Sequence, residues 1–341
     1  TYEIPVKLTD AKTEIKNNTF YVVQSYGVPL SRLKEEDFSI SGKSSVFIGH
    51  AFNYSTWGKK YSDTYAGTVW KDDFYGETVE GEFYDKWYLT PTATNDSISE
   101  TLLSNRVFVQ IQPFNREGII GTIDAGAGMD NHTYRMFSPG DYITGTQRDK
   151  TTEYYVYGSV GGQFRRYLDW GGDIQFHPAG ERSGDLTVGA NIALRAFIKE
   201  RPITLSGSFR LDRRSPDYWS QHFISNHFTW ENSFDRENKT TFDISLKVPA
   251  WALEVRGMQS TIGNSIYYDE NAMPTQHDGT VTVSGLYADK DCRIGGLHLR
   301  HRVLLQRSSS QKVAPVPMLT AWLSYYYEFD VVKNVLRAQF G

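Results

Sequence analysis

The stretch Tyr154-Tyr155-Val156-Tyr157-Gly158-Ser159-Val160-Gly161-Gly162-Gln163-Phe164 decides the fold. Every second residue from Tyr154 is apolar or glycine: Tyr154, Val156, Gly158, Val160, Gly162, Phe164. Those between include Ser159, Gln163 and, one step beyond, Arg165. The rhythm returns as Leu168, Trp170, Gly172, Ile174, Phe176 against Asp169, Asp173, Gln175, His177. A third pass sets Leu186, Val188, Ala190, Ile192, Leu194 against Thr187, Asn191, Arg195. A fourth sets Ile203, Leu205, Gly207, Phe209, Leu211 against Thr204, Ser206, Ser208, Arg210. A period of two places successive side chains on opposite faces of a sheet. Four such runs in succession with short links form an antiparallel meander.

The question is then which side the apolar face meets. In a soluble sandwich it meets a second sheet; in a transmembrane barrel it meets lipid, and the polar face lines the interior. The runs here span roughly nine to twelve residues, against a globular mode of about five or six. A tilted strand needs about nine to eleven to cross a bilayer. Full charges also sit within the polar face. The expected fold is all-β: an antiparallel transmembrane β-barrel, with about fourteen strands visible along a single domain, residues 1–341. On this reading Val188 lies at mid-strand facing lipid and its neighbour Thr187 faces inward.

Composition agrees. The chain has 341 residues, 22 Tyr, 19 Phe and 8 Trp, and aromatic girdles are a habit of barrels. The net charge of −4 offers no field for nucleic acid, which is not expected as a partner. The single cysteine, Cys292, excludes an intramolecular disulfide framework. No apolar run is long enough for a membrane helix, which leaves barrel strands unaddressed. No signal peptide is visible at Thr1, and the sequence stops within a strand. A leader has either been removed or the chain starts inside a longer protein, and the strand cut short at the end suggests a portion of a longer barrel whose closing strands follow.

Outward from the central stretch, strands are read at 20–27, 45–57, 106–112 and 118–129 before it. After it they are read at 221–230, 242–248, 253–268, 280–288, 294–307, 318–329 and 335–340. Residues 1–18 show no period, 30–43 read as a charged loop, and 58–97 and 130–150 as long irregular loops. Such loops are uncommon in compact domains and suggest surface or functional segments. Short and long links alternate, as periplasmic turns and outer loops would. The alternation slips once between Ser233 and Trp251, which signals a strand missed or merged.

At Pro216-Asp217-Tyr218-Trp219, and then Ser225-Asn226-His227-Phe228-Thr229-Trp230-Glu231-Asn232-Ser233-Phe234, the chain resembles the “putative porin” family of Bacteroidota. Leu168-Asp169-Trp170 with Gly184-Asp185-Leu186, the run 311–317, and Lys333-Asn334-Val335-Leu336-Arg337 are similar to it as well. The likeness covers roughly residues 20–341. It implies an outer-membrane barrel of a Gram-negative bacterium, whose members usually continue past this point.

Catalytic patterns are absent. There is no Gly-x-Ser-x-Gly elbow and no His-Glu-x-x-His, and 121–128 lacks the lysine of a phosphate loop. Enzyme activity and cofactors are not expected. His222 and His227 are five apart, which suits one face of neither a helix nor a strand, so no metal site is read there. Asn226 and Trp230 read as structural. The expected lumen lining is Arg165, Asp169, Asp173, Arg195, Arg210, Asp243, Lys247, Arg300, Arg302, Glu328 and Arg337. Charged walls select solutes by field and width; equally, such residues can pair across strands and fill a narrow interior. His301, between Leu299 and Val303, breaks the apolar parity.

Three readings follow. One is a channel for passive diffusion of small hydrophilic solutes through outer-membrane lipid. Another is a plugged or structural barrel, with other outer-membrane proteins or a second copy as partners and the 58–97 segment inside it. The third is a soluble β-sandwich.

Overall fold

A computed structural model describes residues 8–29, 45–65, 84, 86–112, 119–136, 147–198 and 200–341. Its frame is one antiparallel sheet of fourteen strands. The first eight are β1 (Leu8–Pro29), β2 (Ser45–Tyr65), β3 (Ala93–Gln112), β4 (Thr122–Met136), β5 (Gln147–Phe164), β6 (Leu168–Gly180), β7 (Leu186–Ile198) and β8 (Arg201–Arg214). A small hairpin, β9 (His222–Ile224) and β10 (Thr229–Glu231), interrupts them. The sheet resumes with β11 (Glu237–Val248) and β12 (Leu253–Gly263). A second hairpin, β13 (Ile266–Tyr268) and β14 (Pro274–Gln276), also stands off it. Then come β15 (Thr280–Ile294), β16 (Leu297–Ser308), β17 (Leu319–Val332) and β18 (Leu336–Phe340). The order is β1 to β8, β11, β12, β15 to β18, each strand beside its predecessor. β1 and β18 are the two edges.

The register carries the alternation across strands. Val156 faces Phe176, Gly158 faces Ile174 and Gly162 faces Trp170. Ile174 in turn faces Val188, and Ile192 faces Gly207. Phe209 faces Phe242, and Ile244 faces Gly257. A one-residue slip anywhere would mix the two faces, so the pattern itself fixes the register. The apolar face has nothing packed on it among the described residues. Val107 is 58% exposed, Ile192 46% and Ile244 58%. An apolar face of this extent far exceeds what soluble proteins leave in water. The arrangement is a single-layer transmembrane β-barrel sheet, and the two-layer sandwich is excluded. Exposed aromatics stand near one set of strand ends, at Phe164, Tyr167, Trp251, Tyr327 and Phe329, and also at mid-strand, at Phe20, Tyr154, Phe242 and Tyr325.

Several expected boundaries move. β1 begins at Leu8, β2 runs on to Tyr65, and β3 starts at Ala93, so the 58–97 loop shrinks from both ends. β4 and β5 likewise consume most of 130–150. Strands of 20 to 22 residues, at about 3.3 Å per residue, far overshoot a bilayer of about 30 Å. Beyond the lipid both faces are wet, so nothing enforces alternation there. Val188 is only the third residue of β7, so Ile192 is the mid-strand lipid-facing position. The 253–268 run is β12 plus the separate β13. The strand read at 221–230 does not join the sheet; β8 pairs directly with β11. That removes the slip in link alternation. The 30–43 loop lies outside the described residues.

Candidate functional site

The polar face is the concave one, and one connection shows it. Residues 215–236 leave β8 and return to β11, yet their middle reaches β3. The backbone N–H of Asn226 donates to both Asp96 carboxylate oxygens at 3.0 Å. Asp96 shares its parity with Glu100 and Arg106, opposite to the exposed Leu103, Val107 and Val109. A segment can touch β3 from β8 on that face only if the sheet curls around it. From β5 onward the longer connections, 181–185, 215–236, 264–279 and 309–318, lie at this end of the strands. The links at 165–167, 249–252, 295–296 and 333–335 occupy the other.

Inside, charges pair across strands. Asp169 holds Arg195, and Asp243 holds Arg256. Lys247 lies 3.4 Å from Glu254, while Arg210 Nε lies 3.2 Å from Asp212 on its own strand. Asp289 receives Arg300 at 3.0 Å and Arg302 at 2.7 Å, and Arg302 also lies over the Trp322 ring at 4.8 Å. Arg337 bridges Glu328 and Asp330 at 3.6 and 3.3 Å. Asp173 shares the inward parity with no ion pair among the described residues, its carboxylate lying over Gly189. Of the eleven expected residues, ten therefore stand on the inner face. Arg165 does not: it sits in the turn after β5 at φ 50, its guanidinium over the Phe164 ring. The parity rule was carried one residue past the end of the strand. His301 is on the outer face and bonds the outward Tyr325 hydroxyl at 3.1 Å, which satisfies its ring there.

Nearer the long-loop end the wall turns aromatic. Gly128 and Gly126 lie beneath Tyr155 and Tyr157; a Cβ on Gly128 would stand 2.2 Å from the Tyr155 ring. These two glycines thus let two rings lie flat against the wall. Arg106 stands 5.5 Å from the Tyr157 ring centre.

The inward segment is built around a helical turn, α1 (Tyr218–Gln221), and the β9–β10 hairpin. Asp185 ties both its ends, accepting from Ser215 N at 2.9 Å, Ser215 Oγ at 2.7 Å and Arg236 Nε at 3.1 Å. Tyr218 stacks on Tyr134 of the wall at 3.8 Å, with Trp219 edge-on at 5.6 Å. Phe223 stacks on Trp230 at 4.5 Å, and Trp230 Nε1 donates to Trp219 O. Burial holds the Asp217 carboxyl above the usual carboxylate range. Asn226, 0% exposed, is the pin. Its Oδ1 accepts from Thr90 N at 2.8 Å and Leu89 N at 3.2 Å, and its Nδ2 donates to Thr90 O at 2.9 Å. His227 spends Nδ1 on Lys86 O and Nε2 on Thr94 Oγ1, both at 2.8 Å. Neither nitrogen is free for a metal. Residues 86–92 and 215–236 thus form one knot against the inner wall, over a cavity of 280 Å³ that Glu153, Arg182 and Tyr218 help line.

The sequence reading missed this knot's reach. It also missed Asp130, His132 and Glu153, whose donor atoms converge beneath it. Asp130 and His132 fall in 130–150, read from the sequence as an irregular loop, so no alternation placed them on one face there.

A family model described as “Putative porin” matches residues 1–341, and the chain belongs to that family. No curated protein matches it. Among solved structures, it is similar to the copper transporter OprC, at 11% identity and a TM-score of 0.55, over 92% of this chain and 56% of that one. The siderophore receptor PirA from Acinetobacter baumannii gives 8% identity and 0.52, over 85% and 48%. PirA from Pseudomonas aeruginosa gives 10% and 0.50, over 95% and 59%. At these identities the likeness is one of fold, that of outer-membrane barrels. The chain spans about half to three fifths of their lengths.

Proposed function

We propose that this member of the “Putative porin” family lies in the outer membrane of a Gram-negative bacterium of the Bacteroidota and passes small hydrophilic solutes by diffusion. The observation that carries this reading is the inner wall. Ten of the charged positions expected from the alternation share one face of the sheet, and the opposite face is apolar with nothing packed on it among the described residues. A wall of paired charges keeps water and ions in contact with it without a large net field. The knot of 86–92 and 215–236 would narrow the path at the long-loop end and set a size limit. Single-channel recording of the full-length protein in planar bilayers tests this. The reading expects steady, voltage-insensitive conductance; a correctly folded barrel that never conducts would overturn it.

A second reading is favoured by the same knot. A segment tied at both ends by Asp185 and pinned by Asn226 is what a plugged barrel would contain. Such a barrel would serve as a structural part of a surface complex. It expects no conductance and an outer-membrane protein that remains bound through purification.

A further inference from the structure

Solute passage gives no role to the cluster beneath the knot. Asp130 and His132 stand on the inner face of β4, and Glu153 faces Asp130 across the ladder to β5. One donor atom from each lies within 4.8 Å of the others. His132 is 8% exposed and Glu153 2%. His132 Nε2 is 3.6 Å from Glu153 Oε1. The other ring nitrogen, Nδ1, lies 2.7 Å from Glu100 Oε1 on β3. Asp130 Oδ1 is buried and has no hydrogen-bond partner among the described residues.

We propose that Asp130, His132 and Glu153 bind a divalent transition-metal cation. Four-coordinate bonds of about 2.0–2.2 Å to nitrogen and oxygen place donors roughly 3.3–3.6 Å apart, which the His132–Glu153 separation matches. Glu100 on Nδ1 is the outer partner a metal-bound imidazole requires: it fixes the tautomer and turns the Nε2 lone pair toward Glu153 and Asp130. Charge points the same way. Glu100, Asp130 and Glu153 are three carboxylates with one guanidinium, Arg182, whose Nε lies 3.1 Å from Glu153 Oε1. Asp185 nearby already holds Arg236. A charged imidazolium shared by Glu100 and Glu153 is the competing arrangement, and it leaves the Asp130 oxygen without a partner. One imidazole and two carboxylates suit zinc, manganese or ferrous iron rather than a soft cuprous ion. Three protein ligands leave further positions open, and Glu153 and Arg182 line the cavity through which water or an anion would reach them. The site would tie β4 to β5 directly below Tyr134, the residue on which Tyr218 stacks. This proposal does not depend on whether the barrel conducts.

The probe is zinc. The full chain, purified in detergent and stripped with chelator, is titrated calorimetrically, and its metal content is measured after desalting. The expected result is one zinc per chain. Asp130→Asn, which keeps the shape, and His132→Ala should each weaken binding at least tenfold. Glu100→Gln should weaken it about 10- to 100-fold, and His301→Ala on the outer face should change nothing. Circular dichroism shows which variants fold, and Asp130→Asn decides the matter if His132→Ala does not. Absence of stoichiometric zinc in the wild type, or equal affinity in Asp130→Asn, would overturn the proposal.

Discussion

The Asp96 carboxylate accepts the backbone N–H of Asn226 at 3.0 Å to each oxygen, although the strand leading to Asn226 lies five places along the sheet from the strand bearing Asp96. That bond fixes the sense of curvature and closes the knot over the inner wall.

Asn226→Ala should release the knot while sparing the barrel. It removes the side-chain partner of half-buried backbone groups at Leu89, Thr90 and Ala93, each such hydrogen bond worth about 0.5–1.5 kcal/mol. Limited proteolysis should cut within 215–236 much faster than in the wild type, with the thermal midpoint of the sheet little changed. On the channel reading, conductance rises as well. Unchanged cleavage would show that the pin is not needed.

Ile192→Arg and Asn191→Arg differ by one residue at the middle of β7, one facing out and one in. The first should cost on the order of 2–4 kcal/mol, the figure for a guanidinium facing lipid near the midplane. The second should be nearly neutral. Denaturant unfolding in lipid vesicles measures both, and equal losses would contradict the facing.

Asp289→Asn keeps the shape but removes the anion between Arg300 and Arg302. Two guanidiniums then face the interior unmatched. The reversal potential in a salt gradient should move toward anion preference, by roughly twofold in permeability ratio. A shift toward cations would refute the inward placement of this pair.

Asp269 governs an acid response in the connection that carries β13 and β14. The backbone N–H groups of Met273, at 3.0 Å, and Asn271, at 2.8 Å, donate to its carboxylate and hold it below the usual range. Its contribution is present above the ordinary carboxylate value, about pH 4. It is lost as pH falls through the depressed one. Cleavage of 264–279 by an acid-active protease should rise over that fall, and Asp269→Asn should flatten the profile. A wild-type profile already flat would remove Asp269 from the account.

The sheet was legible because lipid on one side and water on the other force a period of two, as at Ile174–Asp173 and Leu194–Arg195. Where both faces are wet, as at 8–18 and 58–65, no such force exists and the strands were invisible. Arg165 was misplaced because parity has no meaning once the chain turns. His222 to Trp230 misled differently. An aromatic-rich run such as Phe223 to Trp230 fits a strand or a packed knot equally well, and only the β8–β11 register separates the two. Asp130 and His132 lie in a stretch read as an irregular loop, and their partners Glu100 and Glu153 sit on other strands, so the cluster required the fold.

The most direct test places single spin labels at Ile192 and Asn191, each as a cysteine variant in a Cys292→Ser background, in lipid vesicles. Collision rates with oxygen, which dissolves in acyl chains, are compared with those of a water-soluble nickel chelate. The label at 192 should favour oxygen and the label at 191 the chelate. Matching rates at the two sites, or the reverse order, would contradict a greasy outside and a wet inside.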